Sequence, residues 1–243
     1  KGLLDQRGTF INGRRVWMAN HILAGGDRVE VAAERADAPP APRVLHEDEA
    51  LVVIDKPPGL LATGPASVET ALNKAGQPAS LRAVHRLDRD TSGCLLLAKT
   101  PAAFDAMVAM FRDGRVLKLY HALAAGRVTP AEGTLRTPVD DLPAVSQYRV
   151  LDANITASHL LVRIETGRTH QIRKHLAAIH HPVLGDTSYG GGRVVAMDLR
   201  AIPRQMLHAA TLECDHPLTH RRLRVEAPIP EDFRRWLRQL KLT

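Results

Sequence analysis

The sequence predicts an α+β fold: a largely antiparallel mixed sheet, flanking helices and a small N-terminal β-rich piece. Three observations carry this expectation. Segments with strand periodicity outnumber those with helical periodicity. Two of the connections read as hairpins, one at Asn12-Gly13 and one at His216–Thr219. Strands follow strands instead of alternating with helices, which argues against a doubly wound parallel sheet. With 243 residues, 44% of them apolar and 24% charged, the chain suits one large domain or a domain with a small appendage. A disordered or fibrous chain is excluded.

The elements follow in order. Phe10 to Val16 holds Asn12-Gly13 between apolar residues, and Gly25-Gly26-Asp27 turns into the alternating strand Arg28 to Val31. A piece spanning residues 1–35 is too short to hold a core alone. Composition breaks at Ala32 to Pro42, where Pro39, Pro40 and Pro42 favour an extended connection. Leu51 to Ile54 is a buried strand ended by Lys56-Pro57-Pro58-Gly59. The turn-like Asp90 to Gly93 leads into a second apolar run, Cys94 to Ala98. Thr100 and Pro101 open a helix with a capping hydroxyl and a first-turn proline. Phe104, Met107, Val108 and Phe111 recur at helical spacing until Gly114 stops it. Val116 to Ala124 alternates, with Lys118, Tyr120 and Ala122 on one face. Leu160, Val162 and Ile164 mark a further strand that ends at Glu165-Thr166-Gly167. The next helix starts near Thr169 and turns Ile172, Leu176 and Ile179 inward. A hairpin from Leu207 to Ala227 precedes a last helix from Pro230, striped by Phe233, Trp236, Leu237 and Leu240.

Charge narrows the class of partner. Lys and Arg number 33 against 26 Asp and Glu, a net charge of +7, with 12 His besides. A basic excess rich in arginine suits forked contacts to phosphates, although the same excess also serves a merely soluble surface. No apolar run approaches the ~20 residues that cross a bilayer. Lys1 to Arg7 lacks an initiator Met and the apolar core of a signal peptide, so it reads as a trimmed start. Cys94 and Cys214 are far apart, which excludes a disulfide scaffold and a cysteine-ligated zinc and suits a reducing cytoplasm. His170 and His175 are five apart, and His216 and His220 straddle a turn, so no metal site is expected. Gly190-Gly191-Gly192 follows no strand, and Ser92 sits in no nucleophile elbow.

Two segments hold chemistry. In His85 to Lys99, Asp88 and Asp90 sit among Arg86 and Arg89 just before a fully apolar strand. A carboxylate there is poised between desolvation and ion pairing, as tuned acids are. An Asp-Arg-Asp run by itself reads more readily as a loop whose charges cap one another. In Glu165 to His175, Arg168, His170, Arg173 and Gln171 crowd a helix start suited to an anion. A solvated basic face is an equal reading of the same residues. Arg173, at the edge of the apolar stripe, is able to reach back toward the sheet.

His85-Arg86-Leu87-Asp88, Thr91-Ser92-Gly93 and Leu95 to Lys99 together resemble the signature of RluA-type RNA pseudouridine synthases. Val44 to Leu60, Lys118-Leu119-Tyr120, and Glu165 to Arg173 continuing through His181–Asp186 to Tyr189-Gly190 resemble further blocks of that family, in its order. The closing Ala227 to Phe233 fits as well, so the resemblance covers about residues 44–235. Cys94 and Leu61 to Pro65 depart from its usual pattern. Residues 1–35 resemble the last half of an αL-type RNA-binding module whose opening helices are missing, with 36–43 as a Pro-rich linker and 44–243 as the catalytic domain.

The resemblance implies isomerisation of uridine to pseudouridine within structured RNA, without cofactor or metal. It makes Asp88 the essential carboxylate, attacking the ribose anomeric carbon or abstracting a sugar proton. It gives Arg173, with Arg168 as second choice, the task of keeping Asp88 ionised, and stacks Tyr120 on the uracil. Arg86 is the candidate for filling the gap left by a flipped base, with Asp90 bracing the loop. His85, Arg168, Lys118 and Lys56 join Arg86 as RNA contacts. A 4% aromatic share argues for recognition of folded RNA shape. The implied partner is ribosomal RNA of the large subunit, or alternatively transfer RNA, met by a cytoplasmic monomer away from membranes. Two rivals are a noncatalytic RNA-binding or ribosome-assembly protein on this fold, and a base-releasing glycosidase. Asp88 and Asp90, two apart in one loop, are badly placed to flank a scissile bond.

Overall fold

Local chemistry sets the first hairpin: Asn12 and Gly13 both adopt positive φ, the backbone of a tight two-residue turn. They join β1 (Thr9–Ile11) to β2 (Arg14–Arg15), and β1 also pairs with β3 (Val29–Val31). The computed structural model describes residues 9–15, 22–31, 42–74, 80–190 and 202–243. The start at residues 1–7, Val16, the proline-rich break up to residue 41, and Gly191-Gly192 lie outside the described residues. The chain divides into two units, Lys1–Pro40 and Ala41–Thr243.

Among the described residues, the second unit is built on one ten-stranded sheet. Its strands are β4 (Arg43–Glu47), β5 (Leu51–Lys56), β6 (Arg82–Ala83), β7 (Ser92–Ala98) and β8 (Leu117–Ala125). They continue as β9 (Glu132–Leu135), β10 (Ser146–Ala153), β11 (Ala157–Ile164), β12 (Leu207–Asp215) and β13 (Arg222–Glu226). The path runs β4-β5-β7-β12-β8-β11-β10-β9, with β13 on β12 and β6 on β7. Every pairing is antiparallel except β7 with β12, so the sheet is mixed and mostly antiparallel as expected. Four helices flank it: α1 (Val68–Lys74), α2 (Pro101–Arg112), α3 (Gln171–Ala178) and α4 (Glu231–Gln239).

Alternation along the strands sorts side chains onto two faces. Ile54, Leu95, Leu97, Tyr120, Ala122, Leu160 and Val162 share a core with Val68 of α1 and with Ile172 and Leu176 of α3. Val53, Cys94, Leu96 and Leu212 face the other way, against Met107 and Met110 of α2. Leu123 and Met206 pack on Phe233 and Leu237 of α4, and fully burying a phenylalanine contributes about 2 kcal/mol. Helices on both faces explain why every residue of β7 is buried and why its sequence is an unbroken apolar run. Thr100 caps α2 by accepting the Ala103 N–H at 3.2 Å, as its sequence signals. The strands β4, β6, β9 and β10 and the helix α1 were not among the elements that periodicity picked out. They are short, bulged or only partly buried, so no clean apolar period marks them.

Two glycines allow close backbone approach beside the site, the first of them in the parallel seam. Gly93 has φ +110°, and a Cβ there would lie 2.2 Å from the Ala209 carbonyl oxygen of β12. Gly185 has φ +76°, and its Cβ would lie 1.9 Å from the Arg204 carbonyl oxygen. No side chain fits at either place.

Histidines are buried in the sheet as neutral groups. The His208 ring is fully buried and lies 3.0 Å from Ser92 Oγ and 3.2 Å from the Ala227 carbonyl. Burial pushes its pKa down to about 4, and burial together with His159 pushes that of His121 to about 4. The unfolded chain therefore binds more protons than the folded one as pH falls from about 7 to about 4. The stability these rings contribute is fully present above their ordinary pKa of 6.5 and is lost on acidification. Urea midpoints are expected to fall steadily between pH 7 and pH 4, with His208 responsible for about 2 kcal/mol of the loss. A His208→Gln chain should show a shallower slope, and an unchanged slope would reject this assignment.

Candidate active site

The loop between β6 and β7 carries Asp88, and its backbone is clamped from three sides. The ammonium of Lys56, at the end of β5, donates to the carbonyls of Pro57, Leu60 and Arg89 at 2.8–2.9 Å. The Gly59 N–H donates to the same Arg89 carbonyl at 2.9 Å. Arg204 donates to the Asp90 carbonyl at 2.9 Å and is held by Asp232 of α4 through both carboxylate oxygens, at 2.6 and 2.9 Å. His85 anchors the loop's start: its Nε2 accepts the Leu96 N–H at 3.0 Å and its ring stacks on Phe111 at 4.6 Å. Burial, and then Lys118, push the pKa of His85 down to about 3, as a ring that must accept a backbone proton requires.

These clamps leave the Asp88 side chain aimed at Arg173. Arg173 projects from the first turn of α3, where Gln171 and Ile172 also turn inward. Its Nη1 donates to Asp88 Oδ2 at 3.1 Å. Its Nε and Nη2 donate to the two oxygens of Asp186 at 2.6 and 2.9 Å. The Asp186 carboxylate is fully buried and also accepts the N–H groups of Ser188 and Tyr189. Gln205, bonded to Thr91 Oγ1 at 2.8 Å, reaches Asp88 Oδ2 at 3.4 Å. Oδ1 of Asp88 accepts no hydrogen bond as short as these, and His170 Nε2 lies 3.8 Å from it.

Asp88 opens into a cavity of about 420 Å³ lined by Arg86, Lys118, Tyr120, Arg168, His170 and Arg173 among others. That is the size of a pocket for a small ligand or a single nucleotide. Tyr120 is nearly buried, and burial, reinforced by the Asp88 charge, raises its pKa, so its hydroxyl stays protonated. Lys118 is also nearly buried, with its ammonium 5.7 Å from the Phe111 ring, and burial lowers its pKa. Arg86 and Arg168 are exposed at the rim, and Arg168 Nε donates to the Pro143 carbonyl at 3.1 Å.

Seven of the eight residues singled out from the sequence line this one cavity, and Lys56 does not. Lys56 was expected on RNA, but it is fully buried and its three protons are taken by backbone carbonyls, so it is a loop clamp. The crowded start of α3 is not an open anion site either. Gln171 turns inward to Val145 and Ser146, and Arg173 is consumed by two carboxylates. Sequence reasoning assigned no role to Asp186, Gln205, Arg204 or Phe111. Their partners lie 13 to 117 residues away, and no local pattern marks them.

Comparison with known proteins gives a consistent result. The family model for RNA pseudouridylate synthase matches residues 50–178, just over half of the chain. The ribosomal large subunit pseudouridine synthase D of Pseudomonas aeruginosa is 38% identical over 229 residues, covering 81% of this chain and 71% of that protein. An uncharacterized RNA pseudouridine synthase of Bacillus subtilis is 34% identical, covering 92% of this chain and 87% of that one. Among solved structures, the human protein titled RNA pseudouridylate synthase domain containing 4 superposes with a TM-score of 0.71. It is 27% identical, and the match covers 83% of this chain and 94% of that one.

The clamp on the loop can be tested by its loss. Lys56→Met keeps the stem but takes the side-chain donor from the Pro57 and Leu60 carbonyls and leaves the Arg89 carbonyl with the Gly59 N–H alone. It is expected to lower stability by about 3 kcal/mol in urea titration. A change under about 0.5 kcal/mol, the usual range for surface substitutions, would show that Lys56 bears no such load.

Proposed function

The chain belongs to the RNA pseudouridylate synthase family and is an RNA pseudouridine synthase, an isomerase; from that premise we propose that Asp88 is its reacting carboxylate and a uridine of large-subunit ribosomal RNA its substrate. One observation carries the assignment of Asp88. Among the described residues it is the carboxylate that both contacts a buried guanidinium and lines the cavity beside Tyr120. The adjoining Arg173 holds Oδ2 at 3.1 Å, which fixes the carboxylate for either sugar-directed route. In one route the carboxylate bonds to the anomeric carbon as N1 leaves and is itself displaced when C5 bonds there; in the other it removes a sugar proton and later returns it. Either way the bond from C1′ to N1 breaks, the base turns, and C5 bonds to C1′. The C5 proton is then lost and N1 gains one, so the reaction needs no oxidant or reductant.

Tyr120 walls the cavity and is the group on which the uracil stacks, and its protonated phenol reserves it for the late C5 proton only if a stronger base assists. The target uridine leaves its helix to reach Asp88, and Arg86 at the rim is placed to occupy the vacated space. Arg168 and Lys118 supply positive charge where the flipped nucleotide's phosphates enter. The large-subunit target rests on the name of the Pseudomonas aeruginosa relative. The N-terminal unit, with its β1–β3 sheet, is the proposed accessory RNA contact. A ribosomal substrate places the reaction in the cytoplasm. Asp186 is fully buried, so it offers no second exposed carboxylate of the kind a base-releasing glycosidase needs.

The deciding measurement is tritium release from C5-labelled uridine in ribosomal RNA of cells lacking the enzyme. Wild type is expected to release tritium, and Asp88→Asn to release none while binding the RNA about as tightly. Turnover by Asp88→Asn would remove Asp88 from its role, and free uracil would mean base release. Asp186→Asn is expected to lower kcat by about 10–100-fold with little change in RNA affinity, because Arg173 then loses its orientation. Wild-type kcat in that variant would show that Asp88 needs no such brace.

A further inference from the structure

His170 stands out in the cavity because its ring links Tyr189 to Asp88. It occupies the cap position of α3 in the left-handed region, with φ +57°, where non-glycine residues other than Asn, Asp and His are rare. Its side chain makes no capping bond to the helix it precedes. Instead, Nδ1 meets the Tyr189 hydroxyl at 2.9 Å, and Nε2 faces Asp88 Oδ1 at 3.8 Å. Tyr189 is itself fixed: its N–H is held by Asp186, and the Arg173 guanidinium lies 5.0 Å from its ring centroid. The ring of His170 therefore bridges the Asp186–Arg173–Asp88 chain at its other end.

The proton positions follow from the partners. Burial lowers the pKa of His170, so the ring carries one proton. A lone pair on Nε2 facing a carboxylate oxygen would be repelled, so the proton belongs on Nε2. Tyr189 then donates its hydroxyl proton to Nδ1, which fixes that tautomer. We propose that His170 is a positioning residue for Asp88: its Nε2–H, set by Tyr189, orients the free oxygen Oδ1 toward the ribose while Arg173 holds Oδ2. A gap of 3.8 Å is too long for a hydrogen bond, and catalytic contacts of this kind close when substrate seats.

The inference rests on Asp88 being the reacting carboxylate, and its test keeps the two apart. The side-chain nitrogen of Gln falls near the place of Nε2, whereas that of Asn falls near Nδ1 and Asn tolerates the left-handed backbone better. His170→Gln, His170→Asn, Tyr189→Phe and Asp88→Asn are compared for kcat, KM and folded fraction in the tritium-release assay. His170→Asn is expected to lose about 10–100-fold in kcat with KM within about twofold, and His170→Gln to stay within about fivefold of wild type. Tyr189→Phe should fall between them. Equal losses in Gln and Asn, a nearly wild-type Asn variant, or a loss confined to KM would overturn the positioning role. Activity in Asp88→Asn would instead overturn the reading beneath it.

Discussion

A guanidinium removed from water has to be paired, and Arg173 is paired twice, with Asp186 behind it and Asp88 in front. The remainder of the site is organised by that pairing. Two carboxylates against one guanidinium leave a net negative charge on the trio. Asp186 is fully buried, with its oxygens on Arg173 and two backbone N–H groups, so the unneutralised charge resides on Asp88. Oδ2 of Asp88 is compensated by Arg173, so Oδ1, 3.8 Å from His170 Nε2, is the less compensated oxygen. Arg86, Lys118 and Arg168 around that cavity supply compensating positive charge without a direct ion pair to Asp88.

Such a trio works only if the loop bearing Asp88 cannot drift. The clamps on it come from three directions in the sequence: Lys56 at the end of β5, Arg204 before β12, and the Leu96 N–H that holds His85. All three are possible because β7 lies between β5 and β12 in the sheet. The contact of β7 with β12 is the one parallel seam, and Gly93 allows the strands to approach there. Fold and site are linked at that glycine. A side chain at 93 would push apart the strands that carry the two ends of the clamp.

The sequence was legible where one element decides its own structure. The capping Thr100, the Asn12-Gly13 turn and the stripe of Phe233, Trp236, Leu237 and Leu240 all describe elements found in place. The alternation that put Lys118, Tyr120 and Ala122 on one face also held, since the first two line the cavity. Lys56 misled because a lysine before Pro-Pro-Gly reads as a surface charge, and only the fold shows three carbonyls converging on its ammonium. Asp186 and Gln205 were illegible for a related reason. A buried carboxylate and a buried amide are recognisable only by partners, and theirs arrive from α3 and from the loop before β7. The resemblance located the blocks but not these contacts between them.

The geometry also explains why the central cation is an arginine. Asp186 takes Nε and Nη2 in a side-on pair, and Nη1 remains for Asp88 in the same plane. A planar fork with five donors can serve two carboxylates at once and fix the angle between them. A lysine at 173 would supply the charge but as a point, free to slide from the front carboxylate to the back one. Desolvation would favour that slide, because Asp186 is fully buried and Asp88 is partly exposed. Asp88 would then lose its direction. In this site the charge of residue 173 draws both carboxylates to it, and the shape of its guanidinium sets where Asp88 points.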